Sequence, residues 1–203
     1  MTQAHDRVRL LPSITIQTSW VLLASALLLP VRLTAQEVVH TERLLRSSGT
    51  LTDRLLAGVV PGASGVFGRD FTERGVALRR DSGEGKVEVI EAGGRYAAGM
   101  VDSKIEGAHY YYFKLAEKPK AETVDISVEY FDAAEGTVTL SYDGAQGGFM
   151  KCPEIQLTGG HTWNLIVFRI PDGKWTGGCN GADFRIGNAP AGFAIGAVAV
   201  RAV

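Results

Sequence analysis

The sequence lacks several features that would point directly to a function. It has no run of lysine and arginine suited to nucleic acid or an anionic membrane, and its formal net charge is −1. It contains no His-Glu-x-x-His motif and no EF-hand calcium loop. With four histidines, two cysteines and no nucleophile-elbow pattern, it gives no support to Ser-His-Asp chemistry, although such triads assemble in space rather than in sequence. These absences favour a binding or structural protein over a self-contained enzyme.

Proline and long apolar segments are also scarce, whereas glycine is abundant. The 203 residues include 7 prolines and 25 glycines, and 45% of them are hydrophobic. Glycines between short apolar runs predict many tight turns, which is typical of an all-β protein. The apolar run at residues 20–31 is shorter than the roughly 20 residues that a membrane-spanning helix requires. We therefore predict one globular domain without a stable membrane span.

The first 35 residues have the order of a secretory signal peptide. Arg7 and Arg9 provide a basic start, residues 20–31 form an apolar centre, and Ala35 supplies a small residue at the cleavage site. Cleavage there removes three of the 21 basic residues and one of the 22 acidic residues, which leaves a net charge of −3. We predict export to the periplasm, the cell surface or the extracellular space.

Both cysteines, Cys152 and Cys179, belong to the part of the chain that would be exported. Two cysteines in an oxidising compartment most simply form one disulfide. Such a bridge would stabilise the fold by about 3 kcal/mol in the loop-entropy model. Neither cysteine has a second cysteine or a histidine at metal-ligand spacing. We predict a structural disulfide rather than a zinc site or a reactive thiol.

Residues 36–65 differ in character from those that follow. Leucines recur at helix-like intervals within residues 44–56, and residues 61–65 form a turn-prone Pro-Gly-Ala-Ser-Gly segment. The segment is predicted to be a short helical lead-in or a linker whose apolar side docks on the main domain. We place that main domain at residues 66–203.

From Gly75 onward the sequence is typical of short β-strands. Apolar and polar residues alternate in residues 124–130 and again in 138–142, which is the period of half-buried strands. The short turn at 132–136 predicts that these two strands form a hairpin. Several further short apolar runs, with no helical period between them, predict an antiparallel β-sandwich of about eight to nine strands.

The order of three stretches resembles the second half of the galactose-binding-like β-sandwich modules found in secreted glycan-active proteins. The stretches are a hairpin whose strands end on Tyr-Phe-Asp and Leu-Ser-Tyr-Asp, a strand opening on Thr-Trp, and an Ala-Asp-Phe-Arg-Ile strand followed by a terminal strand. They lie at Val124–Asp143, Thr162–Ile170, and Gly181–Ile186 with Val198–Arg201. The resemblance implies a jelly-roll topology, often with a structural calcium ion and a sugar site in loops at one end. It implies no catalytic activity.

Trp175 is one candidate for ligand contact. It lies in a loop, residues 171–181, that has four glycines and no apolar period. An indole face stacks well on the C–H face of a sugar ring, and Lys174 and Asn180 would supply hydrogen bonds. Alternatively, Trp175 caps the end of the sandwich and packs against Phe149.

Tyr110 and Tyr112 are a second candidate. Neighbouring strand residues point to opposite faces, so both tyrosines point away from the core if Tyr111 and Phe113 point towards it. Two exposed tyrosines on one strand would form a binding platform. The alternative is that they lie beneath the second sheet or beneath the N-terminal segment.

The acidic residues have a plain structural explanation. Asp132, Asp143 and Asp172 follow strands, where aspartate side chains commonly accept hydrogen bonds from nearby backbone amides. Asp183 and Arg185 flank Phe184 and point to the same side of their strand, which predicts a surface or inter-strand ion pair. A structural calcium ion would need several oxygen ligands, and the metal site stays unassigned. Its candidate ligands are Asp81, Glu84 and Asp183.

Together these features predict an exported, non-catalytic carbohydrate-binding protein whose partner is a glycan or polysaccharide. A structural or adhesive envelope protein that binds another protein is the main alternative. A small glycan-active hydrolase or lyase that uses two of the turn carboxylates is a further alternative.

Overall fold

The computed structural model describes residues 38–43, 50–56, 58 and 60–203, with the backbone alone for 38–43. The signal peptide predicted at residues 1–35 lies outside the described residues. Within them the chain is all-β apart from one short helix. The described residues contain no helix that is long and apolar enough to cross a membrane.

The first half of the described chain contains seven strands and the helix. These elements are β1 (Val38–Arg43), α1 (Leu51–Leu56), β2 (Ala63–Phe67), β3 (Phe71–Arg74), β4 (Val76–Leu78), β5 (Gly85–Ala92), β6 (Arg95–Ser103) and β7 (His109–Leu115). The second half contains the remaining strands. They are β8 (Val124–Asp132), β9 (Glu135–Gly144), β10 (Gly147–Lys151), β11 (Ile155–Thr158), β12 (Thr162–Ile170), β13 (Phe184–Ala189) and β14 (Ala194–Ala202).

The strands form two antiparallel sheets, as the alternating sequence predicts. The eight-stranded sheet has the order β1-β12-β8-β14-β2-β3, and β6 joins β14 and carries β5. The six-stranded sheet has the order β10-β9-β13-β7-β4, and β11 also pairs with β9. The strands outnumber the eight or nine predicted because several, such as β3 and β11, are too short to show a period.

The predicted hairpin between residues 124–130 and 138–142 is wrong. Strand β8 pairs with β12 and β14 in the eight-stranded sheet, whereas β9 pairs with β13, β10 and β11 in the six-stranded sheet. The short connection carries the chain from one sheet to the other. Alternation reports which side chains are buried but not which strands pair, so both arrangements fit the same sequence.

The hydrophobic core lies between the two sheets. The apolar residues predicted to be buried on β8 and β9 all belong to it, together with aromatic residues from β7, β13 and the turn before β14. Phe113 stacks on Phe184 across β7 and β13, and Tyr130 stacks on Phe193, with ring centroids 4.9 and 5.3 Å apart. These stacked pairs bury large apolar areas within the core.

Helix α1 covers the outer face of the eight-stranded sheet. Thr50 and Asp53 form a capping box in which each side chain accepts a hydrogen bond from the backbone amide of the other. Leu51 and Leu55 pack against residues of β2 and β14, where small alanine side chains leave room for the helix. The helix buries one apolar side on the sheet.

Two acidic side chains on β8 are buried on this outer face, although their alternation with apolar residues suggests solvent exposure. Glu129 accepts hydrogen bonds from the Thr52 amide and the Arg95 guanidinium. Asp125 accepts a bidentate pair from Nε and Nη2 of Arg169, at 3.0 and 3.2 Å. Alternation marks the face of the sheet but does not reveal that a helix and arginine side chains cover it.

Candidate functional site

The outer face of the six-stranded sheet carries a cluster of aromatic and polar side chains around one arginine. On β7, Tyr111 and Phe113 point into the core, so Tyr110 and Tyr112 point to the outer face. On the neighbouring β13, Arg185 is opposite Tyr112 in register. We call this surface the Arg185 face and define it by Tyr110, Tyr112, Phe149, Arg185, Asn180, Asn188 and Ser141.

Aromatic rings flank the guanidinium of Arg185 from both sides of its strand. Its Cζ atom lies 4.5 Å from the ring centroid of Tyr110 and 4.4 Å from that of Phe149. Strand β7 lies on one side of β13, and β9 and β10 lie on the other. Cation–π contacts of this kind hold a guanidinium in a fixed plane. The arginine head group is therefore positioned before any ligand arrives.

The hydroxyl group of Tyr112 joins the polar groups of this face. It donates a hydrogen bond to Glu84 at 2.7 Å and accepts hydrogen bonds from Arg185 at 2.9 Å and Asn180 at 3.3 Å. Burial raises the pKa of Tyr112, and its hydrogen bond to Glu84 adds to the increase. The phenol is accordingly neutral at physiological pH and serves to position its neighbours. Only 1% of Tyr112 is exposed, so Tyr112 cannot form part of the predicted binding platform. Tyr110, which is half-buried, is the one of the two tyrosines that a ligand could contact.

Three residues of the Arg185 face have left-handed backbone conformations that are rare outside glycine. Phe149, Asn180 and Asn188 have φ angles of 61°, 52° and 59°. Asparagine tolerates this region, whereas a bulky residue such as phenylalanine is a true outlier. Such conformations cost of order 1–3 kcal/mol each and concentrate at binding and catalytic sites. The backbone strain therefore coincides with the aromatic cluster.

No described carboxylate forms a direct ion pair with the arginines at the Arg185 face. Among the described residues, Glu and Asp side chains form ion pairs with Arg95, Lys114, Arg169 and Arg201, but none pairs with Arg185 or Arg79. Arg79 lies 5.8 Å from the Tyr112 ring centroid and donates to the Asn180 carbonyl. The ion pair predicted for Asp183 is confirmed, since Asp183 pairs with Lys114 of β7 and accepts the Leu115 amide. Arg185 forms no ion pair with the described carboxylates.

Trp175 is not available as a binding surface. Only 3% of it is exposed, and its indole belongs to the main core, where it lies 6.5 Å from the Tyr142 ring. Gly173 permits this packing, since a Cβ atom there would lie 2.1 Å from the indole. The predicted ligand contact by Trp175 is therefore corrected to a role in closing the end of the sandwich. Lys174 is exposed beside it, and its amide donates to the Asp143 carbonyl.

Asp143 holds the loop that contains Trp175. Its carboxylate accepts hydrogen bonds from the amide and hydroxyl groups of Thr176. Burial raises the pKa of Asp143, but the Thr176 hydrogen bonds and one from the Gly178 amide outweigh it, so the net pKa is lowered. The carboxylate is thus more stable as an anion in the folded protein than in the unfolded chain.

Asp143→Asn is expected to lower the free energy of unfolding by about 1–3 kcal/mol at pH 7, the value of hydrogen bonds to a charged group. A lowered pKa contributes stability that is present above the unfolded pKa of about 3.9 and is lost as the pH falls through the folded value. In denaturant unfolding, wild type should therefore be more stable than the variant at pH 7. The difference should shrink progressively as the pH falls below 4. Asp70→Asn, at an exposed site, is the control and should change nothing.

The other two turn aspartates also bind backbone amides, as predicted. Asp132 accepts hydrogen bonds from the Thr158, Gly159 and Gly160 amides. Asp172 accepts the hydroxyl group of Tyr142 at 2.6 Å and the Ala145 amide at 3.4 Å. These carboxylates anchor loops and are already hydrogen-bonded.

The predicted disulfide is wrong, since Cys152 and Cys179 are both buried free thiols. Cys152 belongs to the core between the sheets, whereas Cys179 packs with Tyr112 on the outer face of the six-stranded sheet. The sheet separates the two sulfur atoms. Burial raises the pKa of Cys152 to about 12 and also raises the pKa of Cys179. Neither thiol is a reactive nucleophile.

Protein purified without reductant should contain two titratable thiols per chain, and both should react with a thiol reagent only after unfolding. Absorbance after addition of the reagent, with and without denaturant, measures both quantities. Intact mass gives the control, because a disulfide lowers the mass by about two hydrogen atoms. A chain without titratable thiols in denaturant would contradict the structure.

The described residues contain no group of three or more His, Cys, Asp or Glu side chains placed to hold a metal ion. The three candidate calcium ligands have other contacts. Asp81 accepts the Gly83 amide, and Glu84 and Asp183 bind Tyr112 and Lys114 as described above. Asp81, Glu84 and Asp183 thus belong to separate local interactions.

The Arg185 face therefore brings together Tyr110, Tyr112 and Asn180 from the predicted ligand-binding residues and excludes Trp175 and Lys174. Sequence reasoning missed Arg185 and Phe149 as members of the site. Alternation could have indicated that Arg185 points to the outer face, since its neighbours Phe184 and Ile186 are apolar and point towards the core. No family model, curated protein sequence or solved structure matches the chain at a significant level.

Proposed function

We propose that this protein is an exported, non-catalytic carbohydrate-binding protein and that its binding surface is the Arg185 face. The arrangement that supports the proposal is a half-buried aromatic cluster with a fixed arginine and two asparagine side chains. Sugar recognition combines an apolar ring face with a few directed hydrogen bonds. The jelly-roll topology and the galactose-binding-like relationship are part of this proposal, supported by the stretches at Thr162–Ile170 and Gly181–Ile186. The stretch at Val124–Asp143 does not form the hairpin that the resemblance implies.

Binding is favoured over hydrolysis by the state of the carboxylates. A glycoside hydrolase needs two carboxyl groups that face the same sugar bond. Asp132, Asp143 and Asp172 instead accept backbone or tyrosine hydrogen bonds from their own loops. Glu84, the carboxylate nearest the Arg185 face, accepts the Tyr112 hydroxyl group. Sugar held at this surface would meet an arginine and amide groups rather than a free acid–base pair.

Export is supported by the basic, apolar and small-residue order of residues 1–35. The two free thiols are compatible with an oxidising compartment, because both are buried and have raised pKa values. N-terminal sequencing of the protein recovered from the exported fraction tests this part of the proposal. A mature chain that begins close to Gln36 supports it, whereas recovery of the uncleaved chain from the cytoplasm opposes it.

A glycan array tests binding, with Tyr110→Ala as the diagnostic variant. Tyr110 is half-buried, and its hydroxyl group donates to Asn188 at 3.0 Å. We expect Tyr110→Ala to weaken glycan binding at least about tenfold, equivalent to about 1.4 kcal/mol, with a small change in melting temperature. Tyr110→Phe keeps the ring and should retain more affinity. Lys174→Ala, at an exposed site off this face, is the matched control.

The array result shows whether the protein binds a glycan and whether it does so at the Arg185 face. Binding that Tyr110→Ala weakens and Lys174→Ala leaves unchanged supports a glycan site on the Arg185 face. Glycan binding that is equal in wild type and Tyr110→Ala would move the site elsewhere. Absence of binding to any glycan would overturn the proposal and favour the alternative of an envelope protein that contacts another protein.

A further inference from the structure

The Arg185 face contains two buried polar atoms without a hydrogen-bond partner. They are Nε of Arg185 and the hydroxyl oxygen of Ser141. The two residues are directly opposite each other in the register of β13 and β9. Both side chains point to the outer face, since Leu140, Tyr142, Phe184 and Ile186 on the same strands belong to the core. A buried donor left unsatisfied destabilises the folded protein, and a ligand that satisfies it gains binding energy.

The unused donors of Arg185 have the geometry of a carboxylate-binding fork. Its Nη1 atom donates to Tyr112, whereas Nε has no partner. Nε–H and Nη2–H point in the same direction and bind the two oxygens of a carboxylate side by side. Arg169 uses this same pair of atoms to hold the carboxylate of Asp125 at 3.0 and 3.2 Å. The fork of Arg185 has no such partner among the described residues.

From this geometry we infer that the Arg185 face recognises a carboxylate-bearing sugar, a hexuronic acid, through Arg185 and Ser141. The inference rests on the proposed carbohydrate-binding function and names the chemical class of the ligand. The carboxylate would accept the Arg185 fork and the Ser141 hydroxyl group, while the sugar ring would lie against Tyr110. Its negative charge would balance a guanidinium that has no ion pair in the described chain.

Access to the fork requires movement of a flanking ring, because Nε of Arg185 and Oγ of Ser141 are shielded from solvent. Phe149 is suited to this role. Its ring lies 4.4 Å from the guanidinium carbon, and its φ of 61° is unfavourable for a bulky side chain. Displacement of the Phe149 ring would open the guanidinium to the ligand, which then satisfies the two donors. Phe149→Ala is therefore expected to retain binding of the acidic sugar and to speed its association.

The test compares each acidic oligosaccharide with its own methyl ester. Oligogalacturonate, oligomannuronate and oligoglucuronate, with their fully methyl-esterified forms, are titrated into wild-type protein by calorimetry. Esterification keeps the sugar ring and linkage but removes the charge that the fork would bind. We expect at least one acidic form to bind ten times or more tightly than its ester. This comparison uses the wild-type protein and depends on no variant being folded.

Two variants test whether Arg185 and Ser141 cause the preference for the acidic sugar. Arg185→Lys keeps the positive charge but lacks the fork, and Ser141→Ala lacks the hydroxyl group. Both variants should reduce the ratio of the affinity for the acid to that for the ester, and Arg185→Lys should bring it close to one. Melting temperatures verify that the variants are folded. Lys174→Gln removes an exposed positive charge off the Arg185 face and should leave this ratio unchanged. Acetate alone should not compete at millimolar concentration if the sugar ring contributes to binding.

The outcomes separate the inference from the proposed function. Equal affinity for acid and ester, with sensitivity to Tyr110→Ala, would overturn the inference and leave a neutral-sugar site in place. A preference for the acid that Arg185→Lys and Ser141→Ala do not change would also overturn it. Failure to bind any oligosaccharide on the panel or on the glycan array would overturn both.

Discussion

Arg95→Ala is expected to lower the free energy of unfolding by about 3 kcal/mol, the lower end of the range for removing one partner of a buried ion pair. Glu129 is fully buried, and its two oxygens accept the Arg95 guanidinium and the Thr52 amide. Arg95 also donates to the Thr52 hydroxyl group and lies 4.2 Å from the Trp163 ring centroid. Alanine would leave the Glu129 carboxylate buried without a positive partner.

Denaturant unfolding at neutral pH measures this loss, and Arg201→Ala is a matched control on the same face. Side-chain exposure is 28% for Arg95 and 59% for Arg201. Asp125 keeps its bidentate partner Arg169 when Arg201 is removed, so the control should cost less than about 1 kcal/mol. The double variant Arg95→Met with Glu129→Leu should recover much of the stability, because no unpaired charge stays buried. Equal losses in Arg95→Ala and Arg201→Ala would contradict this account.

Trp175→Ala is expected to cost about 3–5 kcal/mol, the typical loss on truncating a buried aromatic side chain to alanine. The indole belongs to the main core beside Tyr142, and the absence of a side chain at Gly173 provides its space. Truncation would remove its apolar contacts and leave a cavity at the end of the sandwich. Lys174→Ala, in the same loop but exposed, should change stability by less than about 0.5 kcal/mol.

The stability of Trp175→Ala determines how any binding result at that position is interpreted. A variant that loses several kcal/mol can lose glycan affinity because its loop and sandwich end are disordered. Thermal unfolding should therefore accompany every binding measurement on it. If Trp175→Ala is as stable as wild type and yet loses binding, the indole contacts the ligand and the buried position described for it is wrong.

Hydrophobic alternation was sufficient to predict the fold class and much of the core. Residues 124–130 and 138–142 each place their apolar side chains between the sheets, because a strand with a period of two must bury one face. The same period could not predict that β8 and β9 enter different sheets. Strand pairing depends on contacts between residues far apart in the chain, and the sequence of a single strand does not contain them.

The two cysteines and Trp175 show why reasoning from composition and loop pattern was incomplete. An even number of cysteines in an exported chain favours a disulfide, but the pairing also requires both sulfur atoms on one side of a sheet. Cys152 and Cys179 are on opposite sides. A glycine-rich loop without an apolar period suggested an exposed indole, whereas its glycines allow the loop to fold Trp175 inward.

The candidate site could be predicted in part. Alternation along β7 gave the outward direction of Tyr110 and Tyr112, but not the burial of Tyr112 by the segment that contains Cys179 and Ala182. The pairing of β7 with β13, which places Arg185 beside these tyrosines, required the three-dimensional arrangement. Phe149 comes from β10, two strands from β13, and no local pattern connects it to Arg185.

The position of β14 has a consequence for how the chain acquires its structure. This strand follows the other described strands in sequence, yet it lies in the interior of the eight-stranded sheet and pairs with β8, β2 and β6. Strands β8 and β2 become neighbours in the sheet only through β14, and such non-local pairings make folding slow. Until β14 is in place, β8 and β2 each present an unpaired edge that could pair with another chain.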